Sequence, residues 1–386
     1  VSFYPQCAEY GAMPLDAMSA AVTGGDVRRA LAGECRSPGD LLALLSPAAA
    51  LYLEEMAGRA SRLTLQHFGR TIQLFTPLYL SNHCANHCVY CGFNAANAIP
   101  RSHLSLEQVE AEARAIAATG LRQLLILTGE SRTKASPEYL EACLGVLRRH
   151  FPSVFMEIYA MEQDEYGRMI RAGIDGLTLF QETYDESLYA RLHPHGPKRD
   201  YRFRLDAPER ACRAGMRVVN IGALLGLGDW RKDALLTGLH AAYLQRRYPQ
   251  ADIAVSLPRM RPHAGGFQPA SIVSDADLVQ IMLALRLFLP RLGITISTRE
   301  TARLRDNLLP LGVTRMSAGV STAVGGHSQE SETEGGAVGQ FEISDDRSVE
   351  EMCAMLRAHG FQPVFADWHP PVNGAAIPAP RAGGLV

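Results

Sequence analysis

Three cysteines, Cys84, Cys88 and Cys91, lie close together in the run SNHCANHCVYCGF at 81–93. Their spacing is C-x3-C-x2-C. Thiolates are soft donors that select zinc or iron–sulfur clusters. Most iron–sulfur clusters take four cysteine ligands, and no fourth cysteine lies nearby. Three thiolates on a four-iron cluster leave one iron open to a reactant, much as a catalytic zinc keeps an open position. Two alternatives stand beside this reading. One is plain core packing. The other is a zinc site completed by His83 or His87, awkward because the histidines alternate tightly with the cysteines. The remaining cysteines, Cys7, Cys35, Cys143, Cys212 and Cys353, are scattered and read as small buried apolar residues.

The triplet directly follows a short apolar run, and such runs recur. Candidate strands are 74–82, 121–129, 153–160, 176–182, 217–225, 251–259, 293–300 and 313–319. Helix-like stretches separate them: 105–119, 137–150, 163–172, 184–192 with 207–214, 231–247, 274–290 and 301–309, and a last one spans 347–359. Ser105 with Gln108 makes a capping box, and Ser348 opens a helix that Gly360 ends. Strand–helix units of this length need parallel strands joined by right-handed crossovers. Eight of them close a barrel of about 250 residues. The expected fold is therefore α/β, a (β/α)8 TIM-type barrel over 73–368, with an open doubly wound sheet as the competing architecture. Residues 1–72 are expected to form an N-terminal helical extension, in which Ser46-Pro47 reads as an N-cap with a first-turn proline. A Gly-rich loop at 319–340 reads as a mobile lid or a disordered insertion, and 369–386 as a disordered tail.

A barrel of this type carries its active site at the C-terminal ends of the strands. Those ends are polar in this sequence: Asn82, Thr128-Gly129-Glu130, Glu157 and Tyr159, Gln181 and Glu182, Asn220, Ser256 and Arg259, Thr298-Arg299-Glu300, and Ser317. Ordinary strand ends would be apolar with Gly, Asp or Ser turns, so a pocket for a polar ligand is expected there. Arg299 is suited to a carboxylate, because a planar guanidinium pairs with it bidentately. Its structural alternative is a salt bridge to a neighbour such as Glu300.

Lys+Arg number 38 and Asp+Glu 40, a net charge of −2, with 47% hydrophobic and 20% charged residues. This is globular composition, with no electrostatic reason to expect nucleic acid or an anionic membrane surface as partner. No apolar run reaches the length of a membrane span, and Val1 to Tyr10 do not read as a signal peptide. Eight cysteines in 386 residues make no disulfide scaffold, so a reducing cytoplasm is expected.

The cysteine loop, with Tyr90 before its last cysteine, resembles the radical S-adenosylmethionine (SAM) superfamily. Further blocks, LLILTGE, FQETYDESLYARLH, GALLGLGDWR, SLPRMRP, ISTRE and QFEISDDRS, resemble its tyrosine lyases of thiamin biosynthesis. The likeness runs from about Leu42 to Trp368. It implies a [4Fe–4S] cluster on Cys84, Cys88 and Cys91, with SAM chelating the open iron. It implies Tyr90 as an apolar wall, Gly129 and Glu130 at the methionine ammonium, and Glu157, Tyr159, Gln181 and Glu182 around the SAM ribose and amino acid. Arg191 is implied at the SAM carboxylate, with a surface helix position as its alternative. Arg299 and Ser317 are implied as the clamp on the substrate carboxylate, with Ser256 and Arg259 weaker candidates and Arg261 and His263 toward the phenol. The implied reaction splits Cα–Cβ of L-tyrosine into 2-iminoacetate and p-cresol through a 5′-deoxyadenosyl radical. The implied partners are thiazole synthase and an electron donor of the flavodoxin or ferredoxin type. Sibling readings are a tryptophan lyase, a hydrogenase-maturation lyase and a non-catalytic iron–sulfur scaffold. The hydrogenase-maturation reading is disfavoured, because only Cys353 lies where a second cluster would be held.

Overall fold

The computed structural model describes residues 2–33, 35, 37–264, 266–328 and 339–366. Eight strands alternate with helices: β1 (Thr71–Ser81), β2 (Gln123–Thr128), β3 (Ser153–Glu157), β4 (Gly176–Glu182), β5 (Val218–Ala223), β6 (Asp252–Ser256), β7 (Gly293–Ile296) and β8 (Arg315–Ser317). Each pairs in parallel with the next, and β8 returns to β1, which also pairs with β2. The sheet is therefore a closed barrel, and the doubly wound alternative falls. All eight strands expected from the sequence are present. The expected ends at 160, 225, 259 and 300 overran, because polar site loops continue the apolar runs. A ninth strand, β9 (Gln362–Val364), was not expected; it adds in parallel beside the start of β1.

Both predicted helix starts are capped, and Ser348 forms a capping box that was not expected. Ser105 and Gln108 exchange hydrogen bonds at the start of Leu106–Ala118, and Ser348 does so with Glu351 at Val349–Ala358. Gly360 then turns the chain with φ +75, a conformation that glycine adopts without steric cost. Ser46 stands at the N-cap with Pro47 in the first turn as expected, but without a side-chain cap bond. Its hydroxyl donates back to the Ala43 carbonyl at 2.7 Å, and Pro47 opens a 3-10 turn, Pro47–Tyr52. The capping box of that region belongs to Ser37 and Asp40, at the start of Pro38–Leu45.

The N-terminal helices lie against the outside of the barrel and share its apolar core. Leu41, Leu44 and Leu45 are fully buried, each stabilising by about 1.5–3 kcal/mol. Gln280 of helix Asp275–Phe288 donates to the carbonyls of Leu44 (3.0 Å) and Ser46 (2.8 Å). No single helix among the described residues is long and apolar enough to cross a membrane. The predicted loop 319–340 is described only at its flanks, and the predicted tail 369–386 lies outside the described residues.

Candidate active site at the barrel mouth

The cysteine loop follows β1 and is fixed by backbone contacts. The Ala85 N–H donates to the Glu130 carbonyl (2.7 Å), that of His87 to His195 (3.0 Å) and that of Val89 to Leu192 (3.1 Å). The Asn86 side chain bridges two other loops: its amide donates to the Glu130 carboxylate at 2.6 Å, and its oxygen accepts from the Lys198 N–H at 2.8 Å. Gly129 faces the His83 carbonyl so closely that any Cβ would overlap it. The Arg101 guanidinium ties the far side of the loop through the carbonyls of Asn82, Phe93, Asn94 and Asn97.

Cys88 and Tyr90 pack with Leu192, Leu224 and Leu227. The Tyr90 hydroxyl sits 2.7 Å from His193 Nε2, while His193 Nδ1 meets the Tyr189 carbonyl at 2.8 Å. The carbonyl requires the proton on Nδ1, so Tyr90 donates to Nε2. Burial pushes the imidazole down to about 3, and it stays neutral.

β4 ends in a bulge between Phe180 and Glu182, and Glu182 takes a left-handed φ of 71. A bulge re-aims the side chain that follows it. Glu182 enters the cavity and meets Lys198 Nζ at 2.5 Å and Arg204 at 3.5 Å. Burial opposes its ionisation, but Lys198 and Arg204 hold the carboxyl below its usual range. Burial raises the Glu157 carboxyl to about 7, with Arg299 pulling the other way.

Arg299 follows β7 at the junction of two cavities. One, of about 860 Å³, is the barrel interior, lined among others by Tyr79, Phe155, Asn220, Ser256 and Ser317. The other, of about 540 Å³, is lined by Tyr90, Cys91, Glu182, Lys198, Arg261 and His263. The Arg299 guanidinium lies 3.4 Å from the Phe341 ring centroid and makes no ion pair among the described residues. The alternative pairing with Glu300 is not formed. Glu300 instead takes Arg259 and Arg261, so Arg259 is committed to structure. The Ser317 hydroxyl accepts from the Thr298 N–H at 3.2 Å, and Ser256 from the Asn220 amide at 2.7 Å. The described flanks of the Gly-rich stretch form the roof. Tyr79 donates to Gln340 at 2.8 Å, and Gly325 N–H donates to the Tyr79 carbonyl at 3.0 Å.

Not every expected site residue converges. Tyr159 lies beyond the end of β3 and donates to the Ala135 carbonyl at 2.6 Å, lining neither cavity. Gln181 occupies the bulge and also lines neither. Arg191 is exposed on helix Glu186–Leu192, so the surface alternative describes its placement. Besides Arg299 and Arg261, the second cavity is lined by Lys198, and Arg204 reaches it through Glu182; sequence reasoning missed these last two. The one available signal was the Gly196-Pro197 turn before Lys198; Gly196 has φ +99 and packs on Asn86.

The cysteine thiols suit a cluster. Burial pushes Cys88 up to about 12, with Cys91 and Cys84 adding to the rise, and Cys91 is likewise raised. Thiolates here call for a cationic group. Yet among the described residues no three Cys, His, Asp or Glu side chains close on a single ion. Three soft thiolate donors on one loop fit a cluster that takes one thiolate per iron.

The model of the Radical SAM superfamily matches residues 78–236, and that of the Biotin and Thiamin Synthesis associated domain matches 256–362. A 2-iminoacetate synthase from Escherichia coli (strain K12) is 43% identical over 347 residues, covering 90% of this chain and 91% of its own. The FeFe-hydrogenase maturase HydG from Carboxydothermus hydrogenoformans shares the fold with a TM-score of 0.81 at 31% identity, over 95% of this chain and 83% of that one. A 3-methylornithine synthase from Methanosarcina barkeri (strain Fusaro) is 25% identical over 84% of this chain and 89% of its own. With 43% identity across nine-tenths of its length, the chain belongs to the 2-iminoacetate synthase family of the radical SAM superfamily.

Proposed function

We propose that this chain is a tyrosine lyase that splits the Cα–Cβ bond of L-tyrosine into 2-iminoacetate and p-cresol, the imine serving the thiazole moiety of thiamin. The observation that carries this reading is Arg299: a half-buried guanidinium without a carboxylate partner among the described residues, set between the cysteine loop and a barrel interior of aromatic and polar side chains. When bound, a [4Fe–4S] cluster on Cys84, Cys88 and Cys91, together with SAM, supplies a 5′-deoxyadenosyl radical. The chain's own work is positioning. Arg299 and the Ser317 hydroxyl take the substrate carboxylate, which turns the amino group toward the cysteine side of the cavity. The carboxylates of Glu130 and Glu182 offer acceptors to the ammonium and hydroxyl groups of SAM. Phe180 and Phe341 screen the junction from water, which protects a hydrolysable imine.

Thiazole synthase is the proposed recipient, since an unstable imine is best handed over directly. A flavodoxin or ferredoxin type protein is the proposed electron donor. A reducing cytoplasm is the proposed compartment, since eight cysteines in 386 residues make no disulfide scaffold. The test is an anaerobic assay of reconstituted protein with SAM, dithionite and tyrosine. Both 5′-deoxyadenosine and p-cresol should form, and both should vanish in Cys88→Ala. Deoxyadenosine without p-cresol would redirect the reading to another amino acid.

A further inference from the structure

The barrel interior beyond Arg299 holds polar groups that the reading above leaves without a role. Asn220 on β5 and Thr295 on β7 line this cavity, 5% and 6% exposed. The Asn220 amide nitrogen spends its hydrogens within the wall, on Ser256 Oγ at 2.7 Å and Thr178 Oγ1 at 3.3 Å. Its Oδ1 meets no hydrogen-bond partner among the described residues, and neither does Thr295 Oγ1. Buried polar atoms are almost always partnered, so these two, which line one cavity in which Gln123 Oε1 is also unpartnered, point to ligand groups that meet them.

The chemistry of that group follows from the inventory. An amide oxygen whose nitrogen is already engaged can only accept, so the ligand must bring a donor. The Thr295 hydroxyl can donate in return. So can Ser256, whose oxygen already accepts from Asn220. The rest of the wall is largely apolar and aromatic, with Phe75, Leu125, Phe155 and Phe180. Arg299 lies at the same cavity, just beyond β7, the strand that carries Thr295. The complementary ligand has a carboxylate at one end, a flat apolar body and a hydroxyl at the other end.

We propose that Asn220 Oδ1 and the Thr295 hydroxyl bind the phenolic hydroxyl of the substrate and set the choice of tyrosine over phenylalanine. This rests on the tyrosine-lyase reading and extends it to the specificity of the same cavity. A site built to hydrogen-bond a hydroxyl strongly rejects the analogue lacking it, whereas a plain apolar slot separates the two weakly.

The test uses the full-length, cluster-reconstituted enzyme with SAM under anaerobic conditions. Dissociation constants are measured for L-tyrosine, L-phenylalanine and 4-amino-L-phenylalanine, alongside p-cresol formation from tyrosine. Phenylalanine should bind at least about 100-fold more weakly than tyrosine, and the amine, which still donates, within about 10-fold of it. Asn220→Leu and Thr295→Val, both close in shape to the original residues, should each cut the tyrosine-to-phenylalanine ratio by about 10-fold or more and leave phenylalanine binding unchanged. Phenylalanine binding as tightly as tyrosine to the unaltered enzyme, while p-cresol still forms, would overturn the subsite and leave the lyase reading standing. Absence of p-cresol would overturn both, since no phenol would then be selected. If Asn220→Leu fails to fold, Thr295→Val and the analogue series on the unaltered enzyme decide the matter.

Discussion

Arg305 and Asp345 form an ion pair in which both side chains are wholly buried. Arg305 also donates to the Ser317 carbonyl, and the N–H groups of Ser344 and Asp345 donate to the Thr298 carbonyl at 2.8 and 3.3 Å. One buried pair thus joins the end of β8, the loop that carries Arg299 and the segment that carries Gln340 and Phe341. Removing one partner of a buried pair leaves a stranded charge and costs about 3–5 kcal/mol. Asp345→Ala should lose that much in urea unfolding, and any folded fraction should show a raised KM for tyrosine. Burial pushes the Asp345 carboxyl up, but Arg347 and Arg305 outweigh it and hold it below the usual range. Its contribution is therefore fully present above the unfolded value of about 3.9 and is lost as pH falls through the lower folded value. Acid unfolding of the unaltered protein and the variant should converge at the low-pH end.

Arg299→Lys separates charge from geometry. Lysine keeps the positive charge but loses the fork that grips a carboxylate and the flat face that lies on Phe341. Hydrogen bonds to a charged group contribute about 1.5–3 kcal/mol, so kcat/KM for tyrosine should fall about 10- to 100-fold. Cluster content, read as iron per chain, should not change, because among the described residues Arg299 is held by the carbonyl of Arg259 and the ring of Phe341 and not by the cysteine loop. An unaltered kcat/KM would remove Arg299 from the substrate clamp.

The barrel was legible because its strands alternate with helices at a length that only parallel crossovers satisfy, and because polar residues punctuate the strand ends. Arg299 and Ser317 could be placed from their positions just after apolar runs, since the backbone carries them to the mouth. Tyr159 and Gln181 could not be placed that way. The first lies past the true end of β3, and the second sits in a bulge, where period-two alternation breaks. Lys198 and Arg204 were invisible because they reach the site from the connection between β4 and β5, by a turn whose course depends on Gly196 against Asn86. The Arg305–Asp345 pair joins residues 40 positions apart, and no local pattern announces it.

Glu157 gives a pH test of the cavity itself. Its carboxyl is raised to about 7 by burial, above an unfolded value of about 4.3. Between those values the folded chain holds the proton more tightly than the unfolded chain. Stability therefore falls as pH rises through that window. Glu157→Gln removes the ionisation, so in urea unfolding of the cofactor-free protein the variant should gain about 1–2 kcal/mol over the unaltered chain at pH 8 and almost nothing at pH 4. An equal difference at both pH values would show that Glu157 ionises in the cavity as it does in the unfolded chain.

Gly129→Ala tests whether the end of β2 sets the cysteine loop. The Gly129 N–H donates to the Ser81 carbonyl at 2.9 Å, and the space where a Cβ would stand is filled by the His83 carbonyl, with Cys84 Cβ beyond it at 3.1 Å. A methyl group there must push backbone, which yields less readily than the end of a flexible side chain. The displaced segment is the one that starts the cysteine triplet, so Cys84 should move relative to Cys88 and Cys91. Iron and sulfide per chain after anaerobic reconstitution should fall several-fold, while the far-ultraviolet circular dichroism of the barrel stays the same. Gly145→Ala is the matched control, since its Cβ would meet nothing within 4 Å and its helix lies outside the barrel mouth. Full cluster content in Gly129→Ala would show that the loop tolerates the shift and that the close approach of Gly129 to His83 is packing alone.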